Sequence, residues 1–262
     1  MVIFTVILLA ITQGFTEFLP ISSSAHLFLI PWAFNLPNLG LRFDAAIHIG
    51  TALALLLFFW KDFYGLFVKR DKLLIYILIA SVPAALAGFF GDKYIEEYFR
   101  ASSFAPLVIG VGIIFFGLLM LFIDKRAKLD KDLAHIGRKR ALFIGFAQAL
   151  ALIPGTSRSG ITITAGEYLG LNRESAARFS FLLATPISLG AGLYKFLQLL
   201  TDKDASGTVS ATILGIIVAF IVGILVIKWF LDYLKKHTLL AFVVYRVVLG
   251  LTVISIWLIR SL

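Results

Sequence analysis

Apolar stretches broken by short charged segments run the whole length of this chain, and two of them, Phe104 to Ile123 and Val209 to Ile227, carry no charge at all. Each matches the ~20 residues that an α-helix needs to cross a ~30 Å hydrocarbon core. Spans are predicted at 44–60, 73–90, 104–123, 175–200, 209–230 and 239–259. Between them, Lys and Arg number four in 61–72, seven in 124–140 and three in 228–237. The positive-inside rule assigns those three loops to the cytoplasm. Segments 91–103 and 201–207 hold two bases and one, with more acids than bases, and are assigned to the outside. Trp60 and Trp229 then fall at cytoplasmic ends and Trp257 near an outer end, where interfacial aromatics belong.

Segments 1–36 and 141–171 are apolar too, but each is interrupted near its middle by Pro and a hydroxyl-rich cluster. Parity makes each cross an even number of times, either as a pair of spans or as a re-entrant hairpin. The hairpin is the better expectation, because the flanking runs are short and non-helical backbone at depth is tolerated where it lines a cavity. The first hairpin would enter from outside and the second from the cytoplasm, their tips meeting near the midplane. Residues 18–24 echo 152–158, and 79–88 echo 183–190. The expected fold is therefore an all-α polytopic membrane protein with an inverted-topology repeat: six transmembrane helices plus two re-entrant helical hairpins. Residues 1–124 form the first repeat and 125–262 the second, within one integral membrane domain.

Composition excludes several classes. At 60% apolar and 15% charged, the chain is far from a soluble average. Zero cysteines remove disulfide scaffolds, thiolate metal sites and thiolate nucleophiles. The net charge of +9 sits in loops between spans, so it reports topology, and no nucleic-acid partner is expected. No Lys or Arg precedes Arg42, so the basic region of a cleavable signal peptide is missing and the first residues read as mature sequence.

The two interruptions carry the candidate chemistry. In the first, Gln13 and Glu17 share a helix face, Pro20 ends that helix, and Ser22, Ser23 and Ser24 offer caps for the next, with His26 a turn further on. A carboxylate at membrane depth is costly unless paired, so Glu17 is functional by default. The second, Pro154-Gly155-Thr156-Ser157-Arg158-Ser159-Gly160, repeats the break and cap with an arginine, whose planar fork suits a phosphate. Arg158 is either that clamp or a counter-ion to Glu17 or Glu167. Helix N-termini, hydroxyls, His26 and Arg158 around one cavity fit a strongly anionic ligand, a phosphate or diphosphate.

These motifs, with Phe43-Asp44, Gly50-Thr51 and the run from Arg173 to Pro186, resemble the bacterial undecaprenyl-diphosphate phosphatases, also called bacitracin-resistance proteins, over essentially the whole chain. The family takes Glu or Gln at the leading motif position, which here is Gln13. The resemblance implies an enzyme that removes the terminal phosphate of a C55 isoprenyl diphosphate, undecaprenyl diphosphate, and so recycles the lipid carrier of peptidoglycan synthesis and confers bacitracin resistance. It implies a divalent cation, Mg or Ca, and a multi-pass protein of the bacterial inner membrane with its site open to the outer face. Carried over, Ser23, His26, Glu17 and Arg158 are catalytic, and Gln13, Ser22, Ser24, Thr156, Ser157 and Ser159 bind substrate. Glu17 and, more weakly, Asp44 are candidate metal ligands. Ser23, His26 or a water is the nucleophile. Broken helices in inverted repeats also build secondary transporters, so a flippase or anion carrier is the competing reading.

Overall fold

A computed structural model describes residues 2–94, 102–200 and 206–261. Among them the chain is helical throughout: α1 (Val2–Thr16), α2 (Ser23–Phe34), α3 (Gly40–Phe58), α4 (Trp60–Val68), α5 (Lys72–Tyr94), α6 (Ala105–Arg126), α7 (Arg138–Ala149), α8 (Arg158–Tyr168), α9 (Arg173–Leu200), α10 (Ser206–Leu234) and α11 (Leu240–Ser261). Short 3-10 turns at Leu133–His135 and Leu150–Leu152 flank α7.

Among the described residues, five helices are long and apolar enough to cross a membrane by themselves: Lys72–Gly91, Ala105–Arg126, Arg173–Leu200, Val209–Leu234 and Leu240–Ser261. They coincide with five of the predicted spans. The sixth, 44–60, is not straight. Its helix stops at Phe58 and resumes from Trp60 at an angle of 66°. Phe59 is the elbow, with φ −99° and ψ 20°, and its ring is buried against Phe181 at 6.3 Å. Anchoring that ring in the core turns the chain, so α4 occupies part of what the sequence presents as a loop. Arg178 braces the elbow by donating to Asp62 at 2.6 Å while its guanidinium covers the Phe59 ring. Loops 91–103 and 201–207 lie largely outside the described residues.

Both interrupted segments fold as broken hairpins. At ~1.5 Å per residue, α1, α2, α7 and α8 reach about 22, 18, 18 and 16 Å, all short of a ~30 Å core. The breaks fall at Glu17–Ser22 and Ile153–Ser157, and each new helix is entered through a serine in left-handed backbone, Ser22 at φ 71° and Ser157 at φ 72°. That region is sparsely occupied by non-glycine residues. Only Ser157 caps with its side chain, accepting from Gly160 N at 3.1 Å. Ser22 makes no side-chain cap bond, contrary to the capping role expected of it.

The two tips touch. Ser159 Oγ donates to Leu19 O at 2.9 Å, joining the second break to the first. The second lies about a third of the way along α6: a Cβ at Gly112 would stand 2.3 Å from Pro154 O, so only glycine admits the break there. Hairpin and span ends gather at two rims. At one, Arg260 of α11 donates to the carbonyls of Trp32 and Ala33 at the end of α2, and Trp257 donates to Ser103 O before α6. At the other, Asp124 at the end of α6 accepts from Arg173 Nε at 2.6 Å and Leu239 N at 3.4 Å. Lys131 N also donates to Gly170 O there, at 2.9 Å, beyond the end of α8.

α1 packs along α10 as α7 packs along α5, and α3 packs on α9 and α6 on α11. One sequence echo does not follow this order. Pro83 lies in α5, which packs on α7, whereas Pro186 lies in α9, which packs on α3 and α8. Short Pro-plus-small-residue strings recur in apolar helices, and this pair marks no equivalent positions.

Candidate functional site

Glu17 is the hub. It sits directly after α1, where Phe18 is pinned in the core 5.4 Å from Phe181, so the carboxylate is held in the gap between the breaks. Its Oε2 accepts from Ser23 Oγ at 2.6 Å and Gln13 Nε2 at 3.0 Å, with His48 Nε2 at 3.4 Å. Its Oε1 accepts from Arg158 Nη2. Arg158 is therefore the counter-ion of Glu17 and not of Glu167, whose buried carboxylate has no hydrogen-bond partner among the described residues. The other guanidinium edge donates to Ser188 Oγ on α9. The acid is almost completely buried, its side chain 4% exposed, while Arg158 keeps 19% and His48 24%. Ser23 is half-buried and Ser24 exposed, so this side of the cluster meets the surroundings.

The structure brings Gln13, Glu17, Ser23 and Arg158 together as the sequence anticipates, and it separates His26 from them. Ser23 and His26 are three apart on α2, a spacing that suggests one activates the other. Instead, His26 Nδ1 bonds Ser22 O at 2.7 Å and Nε2 bonds Tyr245 OH on α11 at 2.6 Å. The imidazole faces away from Ser23. Ser157 and Ser159 face each other at 3.2 Å, and Thr156 Oγ1 folds back onto Ile153 O at 2.7 Å, all three buried in the wall of the second break. Ser22 Oγ lies 3.5 Å from Ser24 Oγ.

Three contributors were not singled out as site residues in the sequence, Thr51 having entered only within the family resemblance. His48 donates from Nδ1 to Asp44 O at 2.7 Å, a bond that leaves Nε2 facing Glu17. Thr51, one turn on, lies 3.4 Å from Gln13 Nε2. The third is Arg246, 1% exposed in the middle of α11. It donates to Ile113 O at 2.9 Å, Pro20 O at 3.0 Å, Gly155 O at 2.8 Å and Thr156 O at 3.1 Å. One guanidinium thus clasps the carbonyls of both breaks, and Gly117 on α6 leaves room for its side chain. A cation or histidine inside an apolar span is by itself the signal that finds these residues.

No group of three or more His, Asp or Glu converges among the described residues. Glu17 already accepts from Arg158, Ser23 and Gln13, and Asp44 lies one turn of α3 before His48. These donors do not fit a metal held by protein ligands alone.

The helices and this buried polar centre define a multi-pass α-helical membrane protein with a charged, hydroxyl-bearing cluster in its interior. The sequence matches the family described as bacitracin resistance protein BacA over residues 6–252, and the chain belongs to that family. Its curated relatives are named undecaprenyl-diphosphatase. One from Thermodesulfovibrio yellowstonii is 44% identical over 99% of both chains. One from Pelotomaculum thermopropionicum is 42% identical over 97% of this chain and 96% of its own. One from Alcanivorax borkumensis is 44% identical over 96% and 97%.

Proposed function

We propose that this protein is an undecaprenyl-diphosphate phosphatase, cleaving the terminal phosphate of the C55 lipid to regenerate the monophosphate carrier of peptidoglycan synthesis. The observation that carries this reading is the chain of contacts Ser23 Oγ, Glu17 carboxylate, Arg158 guanidinium: a hydroxyl, its base and an anion clamp within hydrogen-bond reach of one another. It also bears on how the site is switched. An incoming diphosphate competes with Glu17 for Arg158, since both are anions suited to the same fork. Once Arg158 turns to the phosphate, Glu17 loses its main counter-charge and becomes the stronger base toward Ser23. Ser23 Oγ then attacks the terminal phosphorus as its proton passes to Glu17, and the bond from phosphorus to the bridging oxygen breaks. The lipid leaves as the monophosphate. Glu17 gives that proton to the departing monophosphate, then takes one from a water that attacks the phosphoserine, and returns it to Ser23 Oγ as inorganic phosphate is released.

The wall of the site supplies the charge balance. Arg158 and the first N–H groups of α2 and α8 face the phosphate oxygens, with Ser22, Ser24, Ser157, Ser159 and Thr156 around them. Gln13 orients Glu17, and His26 holds the first turn of α2 against α11 through Tyr245. No step here runs through a metal; a cation that the reaction requires enters with the diphosphate.

The finer architecture belongs to the same proposal. Short hairpin arms, tips that touch beside the interior of α6 and the paired packing of α1 on α10 and α7 on α5 support two inverted repeats, 1–124 and 125–262. They support six spans, with α3 and α4 together as the first, and two re-entrant hairpins. The rim with Ser103 and Arg260 faces outside and that with Asp124 and Lys131 the cytoplasm, in a bacterial cell membrane. Purified protein in detergent, given undecaprenyl diphosphate, releases phosphate with no gradient present. Transport without hydrolysis in sealed vesicles would replace this reading with the flippase.

A further inference from the structure

Far from the Glu17 centre, a cavity of about 390 Å³ opens at the rim where α6 ends. Its lining includes three cations, Arg126, Lys128 and Lys131, against a single acid, Asp130. Apolar surface stands beside the charge: Phe122 is 49% exposed and Tyr168, also in the wall, 62%. The cavity is built, not a chance crease between flexible side chains. Lys131 is fixed from both directions, its N donating to Gly170 O at 2.9 Å and its O accepting from Asn172 N at 2.8 Å, while its Nζ donates to Leu169 O at 3.0 Å. Gly170 is at φ +92°, and a Cβ there would stand 2.7 Å from Lys131 Nζ. The guanidinium of Arg126 lies over the Phe122 ring at 4.0 Å, which holds its charge at the mouth of the cavity.

We propose that this cavity binds the phosphate headgroup of an anionic phospholipid. Net positive charge draws a phosphodiester, and each Lys or Arg near an anionic surface contributes roughly a fivefold gain in affinity. The uncovered faces of Phe122 and Tyr168 at the end of a span offer the glycerol and upper acyl chain an apolar seat that a free anion does not use. The leaflet, cytoplasmic, rests on the topology proposed above; the binding does not.

The test uses the full chain in detergent, titrated with dioctanoyl phosphatidylglycerol and read as the rise in unfolding temperature, which reports ligand bound to the folded state. The expected result is a saturable rise with phosphatidylglycerol and none with dioctanoyl phosphatidylcholine. The double variant Arg126→Gln/Lys128→Gln weakens apparent affinity by about 30-fold. Lys125→Gln/Lys139→Gln removes the same charge from exposed positions outside the cavity and leaves affinity within about threefold. Both variants keep wild-type phosphatase turnover, which shows that they fold. Equal loss in the two variants, or no rise with phosphatidylglycerol in the wild type, overturns the site. A matching rise with inorganic phosphate, abolished by the first variant, overturns the lipid and leaves a simple anion pocket.

Discussion

Ser23 donates a hydrogen bond to Glu17 at 2.6 Å across the first helix break, with no histidine between them. A hydroxyl this close to a buried carboxylate has its base already in place, and that relation fixes the order of effects expected on mutation.

Glu17→Gln and Ser23→Ala each lower turnover by at least ~10²-fold, because one removes the proton acceptor and the other the attacking oxygen. His26→Ala loses less, about tenfold, through a loosened α2. Steady-state phosphate release with parallel binding of the diphosphate checks the ranking, and a dead His26→Ala beside an active Ser23→Ala transfers the nucleophile elsewhere.

Arg158→Lys retains the charge and loses most activity, roughly 10²-fold, since an ammonium cannot span Glu17 and Ser188 or grip a phosphate with paired N–H groups. The loss is expected in both kcat and KM. Near-normal kinetics in this variant would reduce Arg158 to a structural counter-ion.

Arg246→Met leaves buried carbonyls at Pro20, Gly155 and Thr156 without their donor, at a cost on the order of 3 kcal/mol. Thermal unfolding in detergent should move down by several degrees, with activity falling further than stability because both tips shift. Arg246→Lys restores part of the stability but little of the activity.

Cysteines at Asn35 and Ser103, both exposed, react with an impermeant thiol reagent outside intact cells, and one at Lys128 reacts only after permeabilisation. Labelling of Asn35 only after permeabilisation would overturn the outward placement of this rim.

A chelator is expected to lower turnover on the diphosphate while leaving the unfolding temperature of the ligand-free protein unchanged, since the described residues offer no cluster of protein ligands for a metal. A fall in that temperature would reveal a resident ion.

Much of this was legible beforehand because a bilayer leaves the backbone few choices. Span ends follow from charge and length, and the breaks from Pro20 and Pro154 among hydroxyls. Side-chain direction was not legible. Spacing puts Ser23 and His26 on one face of α2, but Ser23 is the first residue of that helix and reaches back across the break. His26, a turn later, bonds the carbonyl four residues before it and a tyrosine 219 positions away. Likewise the bend at Phe59 depends on a ring that packs on Phe181, and no local pattern announces a contact with a distant helix.

Arg246 also has a consequence for biogenesis. The clasp that joins Pro20 to Gly155 and Thr156 lies on α11, the last of the described helices to be synthesised. Until that helix inserts, the first tip has waited through more than two hundred residues of synthesis with its carbonyl undocked. Assembly of a competent centre is thereby coupled to synthesis of α11, and a nascent protein stalled before it holds every reacting group without the strut that registers them.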